Sequence, residues 1–114
     1  ARATACWSER VDYESFMRSL ADRAPPLEAN IAMRALWYDA NDAADSAMRA
    51  AMSDESHMCL RVRAYLCRKS GAEHETRRWY WRCGIDPWTA PLEAEWEDIL
   101  RNILVEVVVE RAYQ

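Results

Sequence analysis

Two histidines and two cysteines near the middle of the chain are the residue types best suited to bind a metal ion. Zinc accepts both types as ligands, and Cys59 and Cys67 fall two helical turns apart on one face of a predicted helix. Positions eight apart are separated by about 12 Å along a helix axis, which is too far for both sulfurs to reach one ion. His57 and His74 lie near opposite ends of the same helix. We therefore predict no metal centre and no cofactor.

Catalytic chemistry is also disfavoured. A nucleophilic cysteine needs an adjacent base and an orienting group, and neither histidine has helical spacing from Cys67 or Cys83. With only two glycines, the chain cannot form a glycine-rich phosphate loop. The densest carboxylate cluster consists of Glu93, Glu95, Glu97 and Asp98. We expect it on the solvent side of the last helix, where nothing would tune a pKa, and we predict that the protein is not an enzyme.

Arginines interleaved with aromatic residues are the pattern most typical of binding. The run contains Arg77, Arg78 and Arg82 between and beside Trp79, Tyr80 and Trp81. A helix must bury one side, and Trp79 and Tyr80 are the natural candidates, which leaves Trp81 outside with the arginines. Such a surface could hold an anionic ligand or single-stranded nucleic acid by stacking and charge neutralisation. The formal net charge of −4 lacks the basic footprint of nucleic-acid binders, so we rank this function third.

Protein binding fits the composition best. Tryptophan, tyrosine, methionine and arginine are enriched at interfaces, and six tryptophans with five methionines exceed what so small a core can hide. We predict a non-catalytic protein-binding or scaffolding module whose partner is a protein, a peptide or a second copy in a homodimer. The alternative is an engineered binder or self-associating scaffold on a natural helical frame. The predicted binding residues are Trp37, Arg77, Arg78, Trp81, Arg82 and Trp88.

An all-α fold of about six helices must position these residues. The 114 residues fit a single helical domain, and few glycines or prolines interrupt a composition that favours helix. Predicted helices span about 12–23 (or from Ser8), 26–40, 43–52, the stretch ending at Gly71, 72–83, and a long C-terminal helix from Pro91. The second helix is expected to bury some of Leu27, Ile31, Ala35, Leu36 and Tyr38. The last carries an apolar stripe of Leu92, Trp96, Ile99, Leu100, Ile103 and Val107.

Gly71 and Gly84 are placed to end two helices that form an antiparallel hairpin. Residues 34–51 echo residues 63–80 at an offset of 29, each as helix, short turn and helix. The echo predicts two hairpins stacked in tetratricopeptide-like fashion, although that repeat has a period of about 34 and a plain bundle is the alternative.

Charge is divided unevenly along the chain. Residues 61–85 carry seven basic and two acidic side chains, whereas residues 86–114 carry two and seven. We expect the basic hairpin to pack beside the acidic terminal helix.

No apolar run approaches the roughly 20 residues of a membrane-spanning helix, so we expect no membrane insertion.

The four cysteines, at positions 6, 59, 67 and 83, contain no C-x-x-C pair. Residues equidistant from the turn at Gly71 should face each other, which places Cys59 opposite Cys83 as a disulfide or as two packed thiols. Packed thiols are the preferred interpretation, because buried free cysteine behaves as a small hydrophobe. A reduced, cytoplasmic protein is the corresponding expectation.

The runs RAYLCRKSG and RRWYWRCG, within residues 63–84, resemble a group of small, functionally uncharacterised bacterial helical proteins of tetratricopeptide-like type. In that group a helix of pattern H-A-Y-L-H-R-K-E-G-D precedes a segment of pattern Y-W-Y-R-R-A-G. Weaker likeness at residues 35–40 and 91–97 extends the resemblance over more than half of the chain. It implies a fold and no mechanism. Arg63 and Cys67 replace the group's two histidines, as in natural divergence or in an engineered variant of such a scaffold.

Overall fold

A computed structural model describes the backbone of residues 11–112 and the side chains of residues 11–109. Within these residues the chain forms six helices and no strand, which confirms the all-α class and the long C-terminal helix. The helices are α1 (Tyr13–Ser19), α2 (Ile31–Ala40), α3 (Ala44–Met52), α4 (His57–Ser70), α5 (Glu73–Cys83) and α6 (Leu92–Ala112). Cys6 and the alternative helix start at Ser8 lie outside the described residues.

Local side-chain chemistry fixes the ends of the central hairpin. Ser56 precedes α4, and its hydroxyl accepts a hydrogen bond of 3.4 Å from the backbone N–H of Cys59. Gly71 ends α4 with φ 82° and Gly84 ends α5 with φ 74°. Both values lie in the left-handed region that glycine adopts without a Cβ clash, so the predicted helix stops are confirmed.

The connection between α1 and α2 is longer than predicted. Helix α1 ends at Ser19, and α2 starts only at Ile31, because the side chain of Asn30 caps it by accepting a 2.9 Å hydrogen bond from the N–H of Met33. Leu27 therefore lies in the connection and is 89% exposed, so the predicted start of this helix at residue 26 is wrong and Leu27 is not one of its buried residues. Ala35 and Leu36 of α2 are buried as expected.

The helices pack as two hairpins and a closing helix. Helix α2 pairs with α3 and α4 pairs with α5, and the pairs meet through the contacts of α4 with α2 and α3. Helix α6 packs against both α4 and α2, and α1 packs on α6. The tetratricopeptide-like stacking stays a prediction, because α6 touches both hairpins, whereas an open stack joins only successive repeats.

The main core lies between α1, α2, α3, α4 and α6. Trp96 of α6 contributes both its ring and an indole N–H that donates a 3.1 Å hydrogen bond to the carbonyl of Leu36. The predicted stripe of α6 is confirmed, with Leu92 and Val107 only partly buried at its ends. A smaller apolar cluster holds α4 to α5 and consists of Ala64, Cys67, Trp79 and Tyr80. None of the helices in residues 11–112 combines the length and the apolar character needed to cross a membrane.

Candidate functional site

A buried carboxylate joins α6 to the central hairpin. Glu95 is 0% exposed, and its Oε1 accepts a 2.6 Å hydrogen bond from Nη1 of Arg68. The hydroxyl of Tyr80 donates a hydrogen bond to Oε2, and Nη1 of Arg61 lies 2.7 Å from the same oxygen. Two guanidinium groups therefore face one carboxylate, and this cluster of Arg61, Arg68, Tyr80 and Glu95 carries a net positive charge.

The prediction that Glu95 faces solvent is wrong. Glu95 lies three residues after Leu92 and four before Ile99, so it falls within the stripe of α6 that faces α4. A carboxylate can occupy such a position only when partners compensate its desolvation, and here the arginines of α4 do so. The expected packing of the basic hairpin beside the acidic terminal helix is confirmed by these two ion pairs.

Arg61 is the less satisfied of the two arginines. Its guanidinium carbon lies 5.3 Å from the ring centre of Tyr80 and 5.6 Å from that of Trp88, so aromatic rings flank it. Nη1 and Nη2 are buried and make no hydrogen bond of good geometry within the described residues. The 2.7 Å approach of Nη1 to Glu95 is thus an ion pair without hydrogen-bond alignment, and Oε2 already accepts the hydroxyl of Tyr80.

A cleft of about 680 Å³ adjoins this cluster, between the start of α4, the end of α5 and the second half of α6. Arg61, Arg82 and Cys83 line it together with Trp88. Burial raises the pKa of the Cys83 thiol, and the charges of Arg61 and Arg82 oppose that rise. The apolar lining residues are Met58, Leu60, Ile85, Trp88, Ile99, Val105 and Val109.

The residues predicted to form one binding surface lie in three places. Arg82 and Trp88 line the cleft. Trp81 is 81% exposed on α5, with Arg77 and Arg78 exposed one turn earlier. Trp37 is 4% exposed, packs in the main core and donates a 3.1 Å hydrogen bond from its indole to the carbonyl of Ser19. The predicted surface position of Trp37 is therefore wrong.

Trp79 organises the basic residues of α5. Its buried ring lies 5.4 Å from the guanidinium carbon of Arg78 and 5.3 Å from that of Arg82. Arg63 of α4 approaches the same ring at 5.0 Å. Because Trp79 is fixed in the smaller cluster, the guanidinium groups of Arg78 and Arg82 are held beside its ring, whereas Arg77 and Trp81 are exposed without a contact to it.

The predicted thiol pair is not a disulfide. Cys59, Cys67 and Cys83 are all free, and they lie in different surroundings. Cys59 packs in the main core, Cys67 packs in the smaller cluster, and Cys83 lines the cleft. Burial raises the pKa of each thiol, so none has the activated thiolate of a catalytic cysteine.

A second polar network lies between α2 and the second half of α4. The hydroxyl of Tyr65 donates a 2.8 Å hydrogen bond to Oδ2 of Asp39, and Nζ of Lys69 lies 3.0 Å from Oδ1. Burial, followed by the hydrogen bond to Asp39, raises the pKa of Tyr65. These residues line a pocket of about 400 Å³ that also contains Tyr13 and Glu93. With every polar group paired, the network is suited to holding α2 on α4.

Sequence reasoning missed Glu95, Arg61 and Asp39. For Glu95 a signal existed, because its spacing from Leu92 and Ile99 places it on the apolar face.

Residues 11–109 contain no group of three or more metal-ligating side chains placed to hold an ion. Comparison of the chain with models of protein families, with curated proteins and with solved structures gives no match.

Proposed function

We propose that the protein is a non-catalytic protein-binding module and that it contacts its partner through the α5 face, defined as Arg77, Arg78 and Trp81. The observation that carries this proposal is the 81% exposure of Trp81 on an ordered helix. A tryptophan left in water costs free energy that burial in a complex recovers, and tryptophan and arginine are the residues most enriched at binding hot spots.

The charge of the α5 face indicates the chemistry of the partner. Arg77 and Arg78 precede Trp81 by four and three residues, so the three side chains share one side of the helix. Two guanidinium groups beside an indole complement an acidic segment that carries an apolar anchor. The chain as a whole has a formal charge of −4, so the α5 face is a local positive site on an acidic protein and would orient such a partner.

The rigidity of α5 also supports the proposal. Trp79 and Tyr80, the two residues before Trp81, are buried against α4. Gly71 and Gly84 close both helices of the hairpin with left-handed caps. A side chain presented from a fixed helix loses less conformational freedom on binding than one presented from a loop.

The test is capture from a lysate of the source cells by the immobilised protein, compared among variants. We expect Trp81→Ala and the double variant Arg77→Glu/Arg78→Glu to lose the captured partner, and higher salt to weaken capture. Leu27→Ala is the matched control, because the side chain of Leu27 is about as exposed as that of Trp81 but lies in the connection before α2. Equal capture by the native protein and Trp81→Ala would contradict the proposal, and retention on a single-stranded oligonucleotide column that depends on Trp81 would assign the face to nucleic acid.

Self-association is the second candidate, and the end of α6 favours it. Val105, Val108 and Val109 are exposed at spacings of three and four residues, so they form an apolar stripe beyond the main core. Sedimentation velocity measures the outcome directly. A dimer that Val108→Asp dissociates and Trp81→Ala preserves would support association through α6, whereas a monomer at high concentration would exclude it.

A further inference from the structure

We propose that the cleft between α4, α5 and α6 binds a small amphipathic anion, with its acidic head at Arg61 and Arg82 and its apolar body along α6. This inference does not depend on the function assigned to the α5 face. The shared chemistry is a carboxylate or phosphate group on an alkyl chain.

The first argument is an imbalance of charge and hydrogen bonds at the head of the cleft. Arg61 and Arg68 face a single carboxylate, and the oxygens of Glu95 already accept hydrogen bonds from Arg68 and Tyr80. The buried terminal nitrogens of Arg61 remain without hydrogen-bond acceptors of good geometry among the described residues. Buried guanidinium donors are normally satisfied, so an acceptor at this position would remove an existing cost.

The second argument is that a further cation lines the same cleft. Arg82 lines the cleft with its guanidinium carbon 5.3 Å from the ring centre of Trp79, and it forms no ion pair within residues 11–109. The opposing charge on α6 is Asp98, one turn beyond Glu95, and its Oδ2 accepts a 3.1 Å hydrogen bond from Asn102. Counted together, the three guanidinium groups of Arg61, Arg68 and Arg82 exceed the two carboxylates of Glu95 and Asp98 by one positive charge.

The third argument is the shape and polarity of the remaining cleft. A volume of about 680 Å³ lies within the range of small-molecule sites. Its long wall contains Ile99, Val105 and Val109 of α6, and the facing wall contains Met58 and Leu60 of α4. Glu106, which lies between Val105 and Val109 on α6 and also lines the cleft, contacts His57 at 3.1 Å, so its carboxylate already has a polar partner.

The position of Trp88 adds a mechanical consequence. Its ring lies over the guanidinium of Arg61, and it belongs to the segment between α5 and α6 that has no helical hydrogen bonds. An anion reaches the buried nitrogens of Arg61 when this ring moves aside. Binding therefore changes the surroundings of one indole, and tryptophan fluorescence reports it.

The experiment titrates the protein with decanoate and with decyl phosphate below their micelle concentrations, followed by tryptophan fluorescence and calorimetry. Decanol and inorganic phosphate test the body and the head separately, and decyltrimethylammonium tests the sign of the charge. We expect both amphipathic anions to bind at least tenfold more tightly than any of these three controls. Decanol binding as tightly as decanoate would overturn the anionic head, and phosphate binding as tightly as decyl phosphate would overturn the apolar body.

Variants locate the site. We expect Arg82→Gln to weaken decanoate binding by about tenfold and Asp98→Asn to tighten it by a few fold, because each changes the charge beside the head group. Val105→Asp should abolish binding. Arg49→Gln, on the exposed side of α3, is the charge-matched control and should leave the affinity unchanged. Equal affinities for the native protein, Arg82→Gln and Asp98→Asn would overturn the proposal, and neither substitution removes a partner of the buried Glu95.

Discussion

Nη1 of Arg68 on α4 donates a 2.6 Å hydrogen bond to the carboxylate of Glu95 on α6, although that carboxylate is completely shielded from water. Nη2 of the same guanidinium donates a hydrogen bond to the backbone carbonyl of Ala90, two residues before α6 begins. One arginine thus fixes both the start of the last helix and its register against the hairpin.

Replacing Glu95 with alanine should be among the most damaging single substitutions in the chain. It leaves the guanidinium groups of Arg61 and Arg68 buried without their counterion, and such losses cost about 3–5 kcal/mol. Urea unfolding followed by circular dichroism measures the change. Glu93→Ala, two residues earlier on the exposed side of α6, should change the stability by less than about 0.5 kcal/mol. Similar effects of the two substitutions would contradict the assigned role of the buried carboxylate.

Arg63 should be required for the junction between α3 and α4. Although it is only 1% exposed, its Nε donates a 2.8 Å hydrogen bond to the carbonyl of Ala51 and its Nη2 a 2.7 Å hydrogen bond to that of Asp54. Arg63→Ala removes these charge-assisted bonds and should lower the free energy of unfolding by about 3 kcal/mol.

Lysine at position 63 tests the geometry separately from the charge. A lysine ammonium keeps the charge but lacks the planar fork that reaches two carbonyls, so Arg63→Lys should recover only part of the stability in the same urea titration. Full recovery would show that the charge alone matters.

Substitution of the two tryptophans that were predicted to share one surface should change the stability to different extents. Trp37→Phe loses the indole hydrogen bond to Ser19 within the main core and should cost about 1–2 kcal/mol. Trp81→Phe should change the stability by less than about 0.5 kcal/mol, because that ring is exposed. Acrylamide quenching provides the second measurement: Trp81→Phe should remove a strongly quenched component, and Trp37→Phe should not.

Alkaline pH should destabilise the fold partly through Tyr80. Burial, followed by the hydrogen bond to Glu95, raises the pKa of Tyr80 from 10.0 to about 12. Between these values the folded protein retains a proton that the unfolded chain has lost. The contribution of Tyr80 is therefore complete below about pH 10 and is lost as the pH rises through about 12.

Tyr80→Phe removes this linkage. The variant is less stable at neutral pH, but its free energy of unfolding should fall less steeply between about pH 10 and 12 than that of the native protein. Urea titrations at several pH values in that interval measure the slope. Tyr65, whose pKa is also raised, maintains part of the dependence, and an unchanged slope would contradict the prediction for Tyr80.

Features governed by local chemistry could be predicted from the sequence. Gly71 and Gly84 stop their helices because the left-handed conformation is a property of the residue itself. The stripe of α6 is equally readable, because a helix with Trp96, Ile99, Leu100 and Ile103 at helical spacing has one side to bury.

Features governed by distant partners could not be predicted. The spacing of Glu95 indicates the inward side of α6, but no local pattern reveals that Arg61 and Arg68 of α4 compensate its charge there. Similarly, Trp37 becomes a core residue because the carbonyl of Ser19 accepts its indole N–H. The cleft combines segments from three helices, so its lining follows from the tertiary fold alone.

The place of α6 in the chain has a consequence for biosynthesis. It is the last of the six helices to leave the ribosome, yet Trp96, Ile99 and Leu100 complete the core that α2 and α4 begin. A nascent chain that ends before Leu92 holds two helical hairpins whose inner surfaces are uncovered. Stable folding therefore waits until these residues of α6 have emerged from the ribosome, and chaperones that recognise apolar segments can bind the chain before then.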